Sequence, residues 1–339
     1  MRSFGSDNHS GVHRDILKSL NDTNDNHQIA YGDDIWTKKA EQKFKEIFGD
    51  NVETFFVFNG TGANVISLKT TTNTFNSIIA ADTAHICVDE CGAPEYFTGA
   101  SVKAVKTSNG KLTPESIKPL LSGFGFEHHS QPKVVYISQC TELGTVYTCE
   151  EIKAIAELIH SHNMYLHMDG ARIANAAVCL NKSFKEITVD CGVDILSFGG
   201  TKNGMMIGET VVSFRKELSE NLKYIRKQLA QLYSKMRYVG CQYLSYFEND
   251  LWFRNASNAN RMAQLLRKSL LEIYNFDFTQ NTDANILLLK MNKEMIDKLL
   301  KKHFFYIWNE EINEIRLVTS WDTTEQDIND FISSVREIL

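Results

Sequence analysis

A carboxylate, a guanidinium and an amine close two short apolar runs of this chain. Asp169 and Arg172 follow Tyr165-Leu166-His167-Met168, and Gly199-Gly200-Thr201-Lys202 follows Asp194-Ile195-Leu196-Ser197-Phe198. In an open α/β sheet, groups at the carboxyl ends of strands converge on one crevice. An amine set among glycines can bond to an aldehyde. An acid from a second strand end can keep a ring nitrogen protonated, so that the ring accepts electrons. That combination is the chemistry of pyridoxal phosphate. The same residues also read as a solvated loop lysine and an aspartate capping a helix that begins at Gly170.

The elements that must position these groups follow from periodicity. Strands are predicted over 54–58, 77–81, 101–106 (an edge strand), 133–138, 165–168 and 210–214. Helices are predicted over 37–48, 63–68, 113–121 and 148–162, the last with Thr148 and Glu151 as a capping box. Asn59-Gly60-Thr61-Gly62 links a strand to a helix. Glycines there let backbone N–H groups approach an anion at the helix start, which makes Gly60, Thr61 and Gly62 a candidate phosphate cup; tight Gly-Thr-Gly turns also occur as plain connections. After 247 come a helix over 255–274, strands over 286–289, 304–308 and 315–318, and a helix over 324–339 capped by Thr323 with Gln326. The expected organisation is an N-terminal segment (1–14), a large domain (15–246) and a small α/β domain (247–339).

Tyr31 reads as a packed turn residue, His85 as a core histidine after a strand, Arg316 as a surface arginine, and the basic run around Lys227 and Arg237 as a solvated helix face. His128-His129 is an adjacent pair without cysteine, aspartate or a third histidine at ligand spacing, so a metal site is not expected.

His167-Met168-Asp169-Gly170-Ala171-Arg172-Ile173-Ala174-Asn175-Ala176 and Ser197-Phe198-Gly199-Gly200-Thr201-Lys202-Asn203-Gly204 closely resemble the threonine aldolases. Tyr31-Gly32-Asp33-Asp34, Gly60-Thr61-Gly62-Ala63-Asn64, His85 with Glu90-Cys91-Gly92-Ala93, and Thr141-Glu142-Leu143-Gly144-Thr145 extend the likeness over nearly the full length, weakening after about 245. The resemblance implies an α/β protein of the aspartate-aminotransferase-like fold (fold type I), with a large mainly parallel sheet and a small C-terminal α/β domain. It implies pyridoxal 5'-phosphate held by Lys202, Asp169 at the ring nitrogen and His85 stacked on the ring. Ser6, Arg172 and Arg316 would meet the substrate carboxylate, and His129 would line the substrate pocket. His85 or His129 would act as base. Tyr31, Lys227 and Arg237 would serve the cofactor near a subunit contact. The implied reaction is cleavage of threonine or allo-threonine to glycine and acetaldehyde in a homotetramer, a dimer of dimers whose sites are shared between subunits. A β-eliminating amino-acid lyase or an aminotransferase on the same scaffold is the rival, and a non-catalytic relative of the fold is the third reading.

Composition excludes little else. The chain has 339 residues, 43% hydrophobic and 23% charged, with net charge −6. Such values suit a globular protein and give no basic surface for nucleic acid or anionic membrane. The start, Met1-Arg2-Ser3-Phe4-Gly5-Ser6, predicts a chain without a signal peptide. Seven irregularly spaced cysteines predict free thiols in a reducing cytoplasm.

Overall fold

A computed structural model describes residues 3–339. Eleven strands occur among them: β1 Glu53–Val57, β2 Asn76–Ala81, β3 Ser101–Val105, β4 Gln131–Ser138, β5 Tyr165–Gly170, β6 Ile195–Gly199, β7 Glu209–Ser213, β8 Asp277–Phe278, β9 Ile286–Lys290, β10 Tyr306–Asn309 and β11 Glu314–Val318.

The first seven form one sheet in the order β1-β7-β6-β5-β4-β2-β3. β2, β3, β4, β5 and β6 pair in parallel, while β7 is antiparallel to both β6 and β1. Every strand but β7 therefore points the same way. β2, β4, β5 and β6 are near-continuous apolar runs because both faces of the sheet are covered. The chain winds outward from β2 to β3 and then returns to β4 on the other side of β2. The order thus reverses between β2 and β4, the place where an open sheet leaves a crevice beyond its carboxyl ends.

The reversed strand could not be seen in the apolar pattern of 210–214. It has a consequence for the site, because Glu209 at its beginning lands on the edge where the other strands finish. The helix expected from Ala63 begins at Gly60 and runs to Thr71, so the glycines form its first turn. Asn59 caps it, accepting from Gly62 N at 2.7 Å. The Thr148–Glu151 capping box is present on helix Cys149–His160. The last helix, Glu325–Ile338, is instead capped one residue later than expected, by Thr324 with Asp327. The Thr323 hydroxyl accepts from Ser320 N at 2.8 Å, which takes it out of capping.

β8–β11 form an antiparallel sheet in the order β10-β11-β9-β8. Helices Leu251–Ile273, Lys293–Leu300 and Glu325–Ile338 enclose a separate core with it, which includes Met262, Leu266, Leu289, Leu317 and Phe331. Phe4 is buried in that same core and bonds to both flanks, accepting from Val318 N and donating to Phe304 O. Phe4 thereby ties the N-terminal segment to the small domain, and the next residues turn towards the large sheet. No helix among the described residues is long and apolar enough to cross a membrane. All seven cysteines are free thiols.

Candidate active site

Asp169 is the penultimate residue of β5, between Ser138 of β4 and Ser197 of β6. Its Oδ2 accepts from Tyr136 Oη at 2.6 Å and from Asn64 Nδ2 at 2.9 Å, and its Oδ1 from Ala171 N at 2.8 Å. Burial works to raise its pKa. The Tyr136 and Asn64 bonds and the charges of His85 and Lys202 outweigh it and hold the carboxyl below its ordinary range. Three donors leave acceptor capacity on a carboxylate that has about four lone-pair sites, enough for one further N–H.

Lys202 lies in a short turn, Thr201–Asn203, directly after β6. Burial, then the charge of Arg172, lower its pKa, opposed by Asp7, Asp169 and Glu209. A lysine eased towards its neutral form is a better nucleophile. His85 follows β2, and its Nδ1 meets Glu90 Oε1 at 2.9 Å. Glu90 is buried and also accepts from Asn64 at 2.8 Å, so one amide ties the His85 and Asp169 networks together. The Glu90 bond raises the His85 pKa; burial opposes, and the charge of Asp169 adds to the rise. Glu142, in the loop after β4, accepts from the His85 backbone N–H at 2.8 Å and from Ser138 Oγ at 2.7 Å.

Arg172 is buried and gives its fork to Asp7, with Nε at 2.7 Å and Nη2 at 2.8 Å. It is therefore not an open carboxylate clamp. Asn285 also bonds Asp7, at 3.1 Å. Ser6 precedes Asp7 and caps the turn that carries it. Arg316, on β11, stands near Arg172, and its buried Nε has no hydrogen-bond partner among the described residues. Burial and Arg172 push its pKa down to about 10, with Asp7 and Glu142 opposing. A desolvated guanidinium with an unmet donor suits an incoming carboxylate.

Not every expected residue lies here. His129 is exposed in the turn before β4, beside Gly123 and Phe126. β4 begins at Gln131, opposite Asn76 at the start of β2. The eight residues of β4 span about 25 Å and separate His129 from Asp169, so it does not line this crevice. Tyr31 and Lys227 are exposed and Arg237 is half-buried. Lys227 Nζ sits 5.4 Å from the Tyr31 ring, and Arg237 bonds the backbone oxygens of Asp25 and Asn26. Gln231 joins this patch to the glycine cup: it accepts from Phe58 N at 3.0 Å, and its amide fills the space a Cβ on Gly62 would need.

Asn64, Tyr136, Glu142, Asp7 and Glu209 were not singled out as site residues from the sequence. An asparagine directly after the Gly-Thr-Gly turn, and glutamates adjoining strand ends, were the available signals. Together the groups fit pyridoxal phosphate: an amine to bond the aldehyde, an acid with spare acceptor capacity for the ring nitrogen, and glycines at a helix start for the phosphate.

The sequence model of the β-eliminating lyase family matches residues 3–294. The low-specificity L-threonine aldolase of a Pseudomonas species is 37% identical over 339 residues, covering 100% of this chain and 98% of that one. The structure of the Leishmania major threonine aldolase superposes with a TM-score of 0.94 at 28% identity, covering 100% of this chain and 99% of the other. An aspartate aminotransferase of Thermus thermophilus shares the fold, with a TM-score of 0.73 at 14% identity, covering 98% and 89%.

Proposed function

The chain belongs to the β-eliminating lyase family, and on that premise we propose that it cleaves L-threonine and L-allo-threonine to glycine and acetaldehyde. It is a lyase of the aspartate-aminotransferase-like fold, and its cofactor is pyridoxal 5'-phosphate. Bound there, the cofactor supplies an aldehyde for the amino group and a ring that takes up electrons from the breaking Cα–Cβ bond.

The chain's own residues divide the remaining work. Lys202 anchors the cofactor, and Asp169, kept ionised by Tyr136 and Asn64, holds a proton on the ring nitrogen. Gly60, Thr61 and Gly62 take the phosphate at the helix start. Arg316 pairs with the substrate carboxylate, with Ser6 and the donors of Arg172 that Asp7 does not use beside it. Holding that carboxylate would orient the substrate's Cα–Cβ bond for cleavage. His85, oriented through Nδ1 by Glu90, would pack against the cofactor and take the β-hydroxyl proton at Nε2.

Tyr31, Lys227 and Arg237 act on the phosphate side at a subunit contact. The exposed apolar residues Ile29, Tyr31, Ile35 and Phe58 near that patch support a homo-oligomer, a dimer of dimers. The seven free thiols support a cytoplasmic location.

The observation that carries the reading is the convergence of Lys202, Asp169 and His85 beyond the carboxyl ends of β6, β5 and β2. Product analysis with each of the four threonine stereoisomers tests it. Acetaldehyde and glycine in equal amounts support the aldolase, whereas ammonia with an α-keto acid, or amino-group exchange with an added keto acid, would replace it by the lyase or aminotransferase reading.

A further inference from the structure

Glu209 has no role in the chemistry above, yet it lies between the cofactor-anchoring turn and the phosphate cup. β7 is the reversed strand of its sheet, and in register Glu209 pairs with Val57, the last residue of β1, and with Gly199, the last of β6. One of these strands runs into Gly60 and the other into Lys202. The Glu209 side chain follows that edge. Its Oε2 lies 3.9 Å from where a Cβ on Gly60 would sit and 3.1 Å from the equivalent point on Gly199. Thr201 hydrogen-bonds the carboxyl through both hydroxyl and backbone. A buried acid thus faces the first turn of an anion-binding helix, where a second anion is to be seated.

We propose that Glu209 is a cofactor-binding residue which, as the neutral carboxylic acid, donates a hydrogen bond to the phosphate seated at Gly60–Gly62. The inference rests on the reading of that turn as the phosphate cup. Two anions side by side in a desolvated site repel, whereas an acid proton between them is shared. The other charged or titratable groups around Glu209 are Lys202 after β6, Asp169 of β5, and Tyr243 and Tyr246 on the helix Arg237–Phe247. Both tyrosines are pushed far above neutrality by burial, so neither supplies the proton near pH 7. Burial, with Asp169 adding, raises Glu209 to about 7 against the hydrogen bonds of Thr201 and the charge of Lys202. The acid form is therefore within reach at neutral pH before the phosphate arrives, and a phosphate dianion favours it further.

The sign follows. Cofactor binding takes up a proton at Glu209, so affinity falls as pH rises past the point where the free protein has lost that proton. The apo-protein is titrated with pyridoxal phosphate from pH 7.5 to 9.5, following the absorbance of bound cofactor, for the wild type and for Glu209→Gln. Over this range a phosphomonoester, with a second pKa of about 6, stays a dianion. The glutamine amide donates at every pH, so the ratio of the two dissociation constants, wild type over variant, is expected to rise by up to about tenfold per pH unit. Loss of the Glu209 charge also shifts Lys202, and that contribution is common to pyridoxal phosphate and pyridoxal. A ratio that rises no more than it does for pyridoxal would overturn the proposal. Pyridoxal, which lacks the phosphate, is the control, and the ratio should not rise for it. If pyridoxal shows the same rise, the proton is not shared with a phosphate and the proposal fails. If wild-type affinity for pyridoxal equals that for pyridoxal phosphate, the phosphate-cup reading itself fails. Proton uptake by the wild type in weak buffer keeps the test open should the variant not fold. Near pH 8 more protons are expected on adding pyridoxal phosphate than pyridoxal, and equal uptake would contradict the proposal.

Discussion

Arg172 gives two nitrogens to Asp7, Nε at 2.7 Å and Nη2 at 2.8 Å, across 165 residues of chain. Both partners are buried. The contact fastens the N-terminal segment to the crevice and fills the guanidinium fork that would otherwise stand open beside Lys202.

Asp7→Ala is expected to leave a buried guanidinium unpaired and to cost about 3–5 kcal/mol. Burial works to raise the Asp7 pKa, but Arg172 and Lys202 prevail and hold it at about 2 against an ordinary 3.8. A depressed acid contributes stability that is complete above its unfolded value and lost as pH falls through the folded one. The wild type should therefore lose this contribution between pH 4 and 2, and the variant should lack that part of the acid sensitivity. Urea denaturation at neutral and acidic pH checks both. Equal unfolding midpoints for the two proteins would show that the pair contributes nothing.

Arg316→Ala removes the one guanidinium of the site whose Nε is left without a partner. A charge-assisted bond contributes about 1.5–3 kcal/mol, so kcat/KM for L-threonine should fall by roughly ten- to hundredfold, mostly through KM. Arg316→Lys should restore only part of it, since an ammonium cannot form a planar fork. Steady-state kinetics decides, and an unchanged KM in the alanine variant would place the carboxylate elsewhere.

Glu90→Gln tests the orientation of His85. The Glu90 bond is the main reason the His85 pKa is raised. Without that carboxylate the imidazole stays neutral to lower pH, so the acid limb of the kcat/KM profile should move to lower pH. A profile that does not move, or moves upward, would mean that His85 is not the group whose deprotonation is seen.

Much of this site could be read from the residue order, because strand-end chemistry is local. Lys202, Asp169 and His85 each follow a short apolar run, and the sheet order brings those ends together. What was not legible depends on contacts between distant segments. Nothing near Asp7 announces Arg172, and nothing near Asn64 announces that it bonds both Glu90 and Asp169. The direction of β7 is equally hidden, since an apolar strand reads the same both ways, and with it the placing of Glu209. The expectation for His129 rested on the resemblance, against an order that the sequence did show. His129 precedes β4 rather than following it, and the side of a strand on which a residue lies decides whether it reaches the crevice. In the C-terminal part the two long helices and three strands were legible, but β8 and the helix Lys293–Leu300 were not expected, and the cap at Thr324 was offset by one residue, because Thr323 and Thr324 are equivalent in sequence and only the Ser320 contact separates them.

The central claim is that the Lys202 amine carries the cofactor. The direct measurement is borohydride reduction of the holo-protein followed by peptide mass spectrometry. The account predicts reduced cofactor on the peptide containing Lys202, and no fixed cofactor at that peptide in a folded Lys202→Ala variant that no longer releases acetaldehyde from threonine. Cofactor fixed to a different lysine in the wild type, or full turnover by the variant, would contradict it.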